Sequence, residues 1–347
     1  MDLPFRLGTR NSFLRPQHDT RGGLIEILNP MTETAGDMTN RLISIIVPVR
    51  NGAALIGPLV DALKLLLVPP GWTKEILVGY QDSEDETWQI LQGRDVRVIK
   101  SSSLGPAANR NAAAAAAQGE LLYFIDADAR PAQPDLLIEL IQQTESISAL
   151  GAAGGPILID PDQRLRPVAL ADHWACWYPW ATERPTGGSP FQPSASLLLP
   201  RSVFETVGGF DEDLAVFEDY EIEQRIQGAG FRLRFIESAP IHHVARGRIL
   251  ESLRHSWRWG RPMRREVLQT LPKPRFAFQA TPALFWLNAP LIFLSRLRIV
   301  LPLYWKGAGP RKAAGLPFLF ITLGAWALGV AFGHRDRPGR ATGPRPG

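Results

Sequence analysis

The chain has 347 residues, 45% of them apolar, which is enough for one large folded unit or two smaller ones with a substantial core. Its single cysteine, Cys176, excludes a disulfide framework and every multi-cysteine metal site. The net charge of +4 is small, but the basic residues are uneven: seven arginines against one acid fall within 246–265.

Residues 1–40 mix Arg, Asp, Glu, Gly and Pro, lack the apolar core of a signal peptide, and are expected to form a poorly ordered extension. Met38, just before the first apolar run, is an alternative start. Residues 42–49 (LISIIVPV) are nearly continuously apolar and β-branched, as a buried parallel strand reads. Helical spacing follows over 54–67 and stops at Pro69-Pro70-Gly71. A second strand is predicted at 75–78, a helix at 85–92 and a third strand at 96–99. An alanine-rich helix at 109–118, closed by Gly119, leads into a fourth strand at 121–125. This alternation predicts an α/β fold, with a mostly parallel, Rossmann-like sheet flanked by helices over 41–150. From 151 to 245 Gly and Pro are common, tryptophans cluster at 174, 177 and 180, and shorter, mixed strands are expected. Helix returns near 218–228 and 249–268, while 150–200 carries no periodicity that assigns elements.

Residues 313–333 hold no charge over 21 residues, long enough as a helix to cross a hydrocarbon core of roughly 30 Å. Residues 276–295 are also uncharged, though broken by Gln279, Pro282, Asn288 and Pro290. Membrane-associated hydrophobic helices are therefore expected over 276–333, followed by a disordered tail at 334–347. Ahead of them, 246–275 reads as a basic amphipathic interface helix with Ile249, Leu250, Leu253 and Trp257 as its apolar stripe. Its arginines suit an anionic membrane surface. A two-helix hairpin would put Arg296, Arg298, Lys306, Arg311 and Lys312 outside, against the positive-inside tendency. A first segment lying in the interface, with Trp286 and Trp305 at headgroup level, avoids this.

Three Asp-x-Asp triplets occur, and context separates them. Asp126-Ala127-Asp128 directly follows the fourth strand, so both carboxylates stand at the carboxyl edge of the sheet, where open α/β sheets bind ligands. Carboxylates there suit Mg²⁺ or Mn²⁺; the plain alternative is a polar strand end or a helix cap. Asp211 and Asp213 read as turn residues. Arg110, near a helix start after Gly105-Pro106, is placed where amides and a guanidinium favour a diphosphate. Glu218 and Asp219 open a helix, where acids also simply suit the dipole. His242-His243 follow a predicted strand, and such a pair is more often structural than ligating.

Taken in order, Val47-Pro48-Val49-Arg50-Asn51, Asp82 to Thr87, Gly105 to Asn111, Asp126-Ala127-Asp128, Gly208-Gly209-Phe210-Asp211, and Glu218-Asp219-Tyr220-Glu221 with Arg225 resemble the family 2 glycosyltransferases over about 42–260. The resemblance implies an A-type glycosyltransferase fold, a nucleotide-diphospho-sugar donor, a divalent metal (Mn²⁺ or Mg²⁺) and inversion at the anomeric carbon. It implies metal binding by Asp128 and Asp126, with Asp126 sharing ribose contacts. Donor contacts follow from Pro48, Val49, Arg50, Gln81, Asp82 and Arg110. Asp219, in its pair with Glu218, matches the general base. His255-Ser256-Trp257-Arg258-Trp259 looks like the Gln-x-x-Arg-Trp motif of membrane-bound members, with His for Gln. By that match Arg258 contacts the diphosphate and Trp259 lines the acceptor site. Some metal-dependent relatives use a histidine near His242 or His243 as a ligand. The chain departs from the family at Tyr80-Gln81, where an acidic pair that often reads uracil is usual, and at Arg50, where Tyr is usual. Gln81 can still hydrogen-bond a base through its amide.

The expectation is a membrane-associated enzyme with a cytoplasmic catalytic domain. It would transfer one sugar to a lipid or glycan acceptor in cell-envelope glycan biosynthesis. Its rivals are a polyprenyl-phosphate glycosyltransferase, whose acceptor needs no base, and an inactive membrane scaffold of the same fold. A nucleotidyltransferase would show a basic Gly-rich loop after the first strand, which Asn51-Gly52-Ala53 is not. No nucleic-acid partner is expected, since no recognition fold surrounds the basic stretch.

Overall fold

The computed structural model describes residues 40–181, 185–214, 216–270 and 286–333. The expected extension before Asn40, the tail at 334–347 and the first part of the 276–295 segment lie outside the described residues. The first half is β1 (Arg41–Val49), α1 (Ala53–Lys64), β2 (Trp72–Tyr80), α2 (Thr87–Gln92), β3 (Arg97–Lys100), α3 (Pro106–Ala116) and β4 (Leu121–Ile125). β1 pairs in parallel with β2 on one side and β4 on the other, and β3 lies beyond β2. Flanked on both edges and covered on both faces, β1 is buried from Ile43 to Val49, which is why its sequence does not alternate. β2 begins earlier than its apolar run, because Trp72, Thr73 and Lys74 continue the ladder opposite Arg41, Leu42 and Ile43. Ladder pairing extends the strand where apolarity does not. Gly79 faces α3 so closely that a Cβ there would run into the carbonyl of Asn109. This contact sets the height of α3, and with it Arg110, above the sheet.

The second half adds β5 (Ala129–Pro131), α4 (Leu136–Glu145), β6 (Leu150–Gly154), β7 (Ile157–Ile159), α5 (Pro167–Trp177), β8 (Gly187–Gly188), β9 (Ser196–Pro200), α6 (Arg201–Val207), α7 (Glu218–Gly228), β10 (Arg232–Phe235) and β11 (Ile241–His243). The main sheet is eight-stranded in the order β3-β2-β1-β4-β9-β6-β10-β8, with β9 antiparallel to both neighbours. A second sheet, β5-β11-β7, begins directly after Asp128. Helix α5 falls in the stretch that carried no readable pattern. It buries Ala169 to Ala175 and Trp177 all round, so it shows no amphipathic stripe, only a Pro at its start.

Three long helices follow: α8 (Ile249–Thr270), α9 (Ala289–Gly307) and α10 (Lys312–Phe332). The buried stripe of α8 differs from the expected one. Ser252, Ser256 and Gly260 are buried against α10, while Leu250 is 63% exposed. A Cβ on Gly260 would strike the carbonyl of Trp326, and one on Gly329 that of Trp257. So close a crossing requires small residues rather than the predicted apolar ones. Helix α9 likewise runs past the expected 276–295 segment, through Arg296, Arg298 and Lys306. Arg296 is accommodated between the rings of Tyr178 and Trp326, 4.4 and 4.6 Å from their centroids. It also donates to Tyr178 Oη at 3.1 Å and to the Ala175 carbonyl at 3.2 Å. Residues 286–307 and 309–332 are long and apolar enough to cross a membrane by length and composition.

Gly79→Ala should cost about 1–3 kcal/mol, the usual penalty of overpacking. Gly93→Ala, whose added Cβ would meet only the Ile90 carbonyl at an ordinary 3.8 Å, should stay within about 0.5 kcal/mol of wild type. Denaturant midpoints of the two variants measure the difference.

Candidate active site

The loops leaving β1 and β2 are tied together at the carboxyl edge. Asn51, at φ 51°, donates its backbone N–H to Ser83 Oγ at 3.0 Å and accepts from Glu84 N–H at 2.8 Å. The first turn of α1 lacks a cap of its own, and Asp85 serves instead, accepting from Ala53 N–H at 3.0 Å. Gln81 is buried at the end of β2. Its N–H donates to the Val49 carbonyl at 3.1 Å, and its Oε1 accepts from Gly105 N–H at 3.4 Å. Its Nε2, buried, has no partner among the described residues. Pro48 and Val49 are buried at the strand end, whereas Arg50 is exposed. Asp82 is largely exposed and paired with Lys100 at 3.4 Å.

Beyond β4 stand Asp126 and Asp128. Arg110, buried on the first turns of α3, donates Nη2 to Asp126 Oδ1 and Nη1 to Glu218 Oε1, both at 2.6 Å. Burial alone would lower its pKa, but the two carboxylates outweigh it and raise it. Arg110 therefore bridges two carboxylates at the place where a diphosphate contact is expected of it. Burial and the neighbouring Asp128 push Asp126 up in spite of Arg110. Burial also works against Asp128, yet His243 and Arg246 overcome it and hold this carboxyl at about 2.

The second sheet explains how His243 arrives there. β11 pairs antiparallel with β5, placing His243 opposite Ala129, and Val244 N–H donates to the Asp128 carbonyl at 2.8 Å. His243 Nε2 then lies 3.5 Å from Asp128 Oδ2. Its neighbour His242 is on the other face by strand alternation. Asp128 and His243 offer facing oxygen and nitrogen donors, a set that suits a divalent cation. Among the described residues no group of three such side chains converges. A cation held here would need ligand or water oxygens to complete its shell.

Glu218 and Asp219 open α7 after Phe217, an aromatic residue at φ 65°. Glu218 is held by Arg110. Asp219 accepts from Tyr220 N–H at 2.8 Å and Ser194 N–H at 3.3 Å. Burial, then repulsion from Glu218, raise its carboxyl to about 7. An aromatic group lies beside it: the Trp259 ring sits 5.2 Å from Phe217, 5.3 Å from His255 and 6.4 Å from Trp177. Burial takes His255 down to about 3. Arg258, one position before Trp259, is exposed on the face of α8 that carries Glu251 and Arg254.

Two other triplets are structural. Asp160 caps a turn by accepting from Asp162 N–H at 2.9 Å, and Asp211 accepts from Asp213 N–H at 3.0 Å. Several site residues escaped the sequence reading. Asp172 and His173 come from α5; Arg246 follows β11; Glu223, fully buried and pushed well up by burial, accepts from Gln192 N–H. The one available signal was the histidine pair His242-His243 closing a strand, with Arg246 three residues on.

Residues 44–208 match the family model described as Glycosyl transferase family 2. The O-antigen biosynthesis protein RfbC of Myxococcus xanthus is 30% identical over 236 residues, covering 62% of this chain and 18% of that protein. The pre-mycofactocin glycosyltransferase of Mycobacterium tuberculosis is 28% identical over 210 residues, covering 59% of this chain and 43% of that protein. The chain thus spans less than half the length of either relative. Among solved structures, the mannosyltransferase PcManGT of Pyrobaculum calidifontis, in complex with GDP-Man and Mn²⁺, superposes with a TM-score of 0.53 at 18% identity. That likeness covers 86% of this chain and 88% of the other, and is one of fold. The matched span, just under half of the chain, runs from β1 through α6 and contains Arg110, Asp126 and Asp128, and over it the chain is similar to glycosyl transferase family 2.

Proposed function

We propose that this chain is a metal-dependent, inverting glycosyltransferase. It moves a single sugar from a nucleotide-diphospho-sugar to a hydroxyl of a lipid or glycan acceptor at the cytoplasmic face of a membrane. The observation that carries this reading is the contrast across the Arg110 bridge. On one side Asp128 is held ionised at about 2; on the other Asp219 is poised at about 7. Carboxylates driven apart in this way suit different tasks.

In this reading the acceptor hydroxyl gives its proton to Asp219 as its oxygen bonds to the anomeric carbon. The bond from that carbon to the diphosphate oxygen breaks, and its electron pair leaves with the nucleoside diphosphate. Attack from the face opposite the leaving group inverts the centre. General-base help of this kind is worth ~10²–10⁴-fold. A divalent cation at Asp128 and His243, when bound, offsets the charge growing on the diphosphate. Glu218, engaged by Arg110, sets the charge around Asp219 and does not itself take the proton. The unpartnered Nε2 of Gln81 supports a hydrogen bond to a carbonyl or ring nitrogen of the nucleobase. The Trp259 and Phe217 rings suit an acceptor sugar or lipid portion. Exposed Leu291, Leu294 and Trp305 on α9, with the arginines of α8, support a lipid surface as partner.

A carboxylate with a raised pKa is protonated, and idle as a base, below that value. The rate should therefore rise about tenfold per pH unit up to about 7 and level off above it. Asp219→Asn should lower kcat by ~10²–10⁴ and abolish this rising limb. A near-normal rate in Asp219→Asn would instead indicate an acceptor that is already ionised, such as a polyprenyl phosphate.

Melting of detergent-purified protein against UDP, GDP, CDP and dTDP, each with Mn²⁺, Mg²⁺ or EDTA, tests the donor. A ligand that binds only the folded state at 100 times its Kd stabilises by about 2.7 kcal/mol. One diphosphate should raise Tm, only with metal, and Asp128→Ala should remove the shift. Folded protein that no nucleotide stabilises would point to an inactive scaffold.

A further inference from the structure

A diphosphate entering this cleft meets Asp126, Asp128, Glu218 and Asp219. Both terminal nitrogens of Arg110 are engaged by two of these carboxylates, and Arg258 is exposed on another face of α8. The cleft therefore needs a second cation near Asp128, and one is built there. The chain after β11 is fixed by an unusual density of hydrogen bonds. Val244 N–H reaches the Asp128 carbonyl at 2.8 Å, and the Gln163 amide clamps Ala245 from both sides, accepting from its N–H at 2.7 Å and donating to its carbonyl at 2.8 Å. The next residue is Arg246.

Both the backbone N–H and Nη1 of Arg246 donate to one oxygen of Asp172, at 3.1 and 3.3 Å. Asp172 is wholly buried on α5, and its other oxygen has no partner. The pair engages Nη1 and leaves Nε and Nη2 without a hydrogen-bond partner among the described residues. The side chain remains 28% exposed, so this free edge is reachable from solvent. Two adjacent N–H donors in a fixed plane match two oxygens of a phosphate.

We propose that Arg246 binds the donor diphosphate through its Nε–Nη2 edge, with Asp172 as the residue that positions it. This rests on the nucleotide-sugar reading above. A buried carboxylate with one oxygen unsatisfied is poor stabilisation for the fold, since burying an ion pair is often neutral or unfavourable. It does fix a guanidinium in one orientation beside Asp128.

The test compares two ligands on the full chain in detergent with Mn²⁺: the nucleoside diphosphate that binds best, and the monophosphate of the same base. Titration calorimetry gives the affinity ratio. Arg246→Ala should weaken the diphosphate roughly ten- to a hundredfold, the worth of a charged hydrogen bond, and leave the monophosphate within about twofold. Arg246→Lys should restore part of the loss. Asp172→Asn, which keeps the shape but weakens the grip, should give a smaller loss with the same selectivity. An unchanged ratio in Arg246→Ala, or an equal loss for both ligands, overturns the inference, as does a larger selective loss in Arg258→Ala. Should Arg246→Ala not fold, Arg246→Gln is read against the same ratios. Wild-type protein that binds neither nucleotide overturns the parent reading and this one together. Wild-type binding with an unchanged ratio overturns this one alone.

Discussion

The guanidinium of Arg110 joins three elements: the start of α3, the end of β4 and the start of α7. Without it, Asp126 and Glu218 would face each other across a buried space with no compensating charge, a situation that costs several kcal/mol. With it, the two acids stay close enough for their neighbours to feel them. Glu218 helps to lift Asp219, and Asp126 and Asp128 titrate as a pair whose members move in opposite directions. The bridge depends in turn on the bare Cα of Gly79, which lets α3 descend onto β2. One missing methyl group in the sheet thus underlies the charge pattern of the site.

How much of this could be read from the chain depends on distance along it. β1 and β4 were legible because a strand covered on both faces needs nothing but apolar residues, and the local sequence says so. The Asp126-Ala127-Asp128 placement followed from β4 alone. The meeting of His243 with Asp128 did not, because it is made by β11 pairing with β5 from more than a hundred positions away. Arg110 is legible as a site residue, but its partner Glu218 comes from the other half of the chain, so the bridge is not. The exposure of Arg258 was illegible for a different reason. The rotation of α8 about its axis is set by the close contact of Gly260 with α10, and motif spacing carries no information about that.

Helix α5 occupies the centre of the second half in both senses. Asp172 and His173 face the Arg246 and His243 side, while Trp174 and Tyr178 pack toward α9 and α10. Arg296, on α9, closes that contact by lying between Tyr178 and Trp326. The apolar helices are therefore not appended to the catalytic sheet by a tether. They share a packed layer with it, and a displacement of α10 has to be absorbed by α5 and α8 together.

Phe217 gives this packing a sharper meaning. A bulky side chain in the left-handed region costs of order 1–3 kcal/mol and persists only where its surroundings impose it. The imposing surface here is Trp259, and Trp259 belongs to α8, outside the span 44–208 that defines the family. The turn that presents Asp219 is thus shaped from beyond the recognised domain. A fragment cut at the family boundary would lose both that turn and the ring that holds it. In this chain the span that shapes the site is longer than the span that matches the family model.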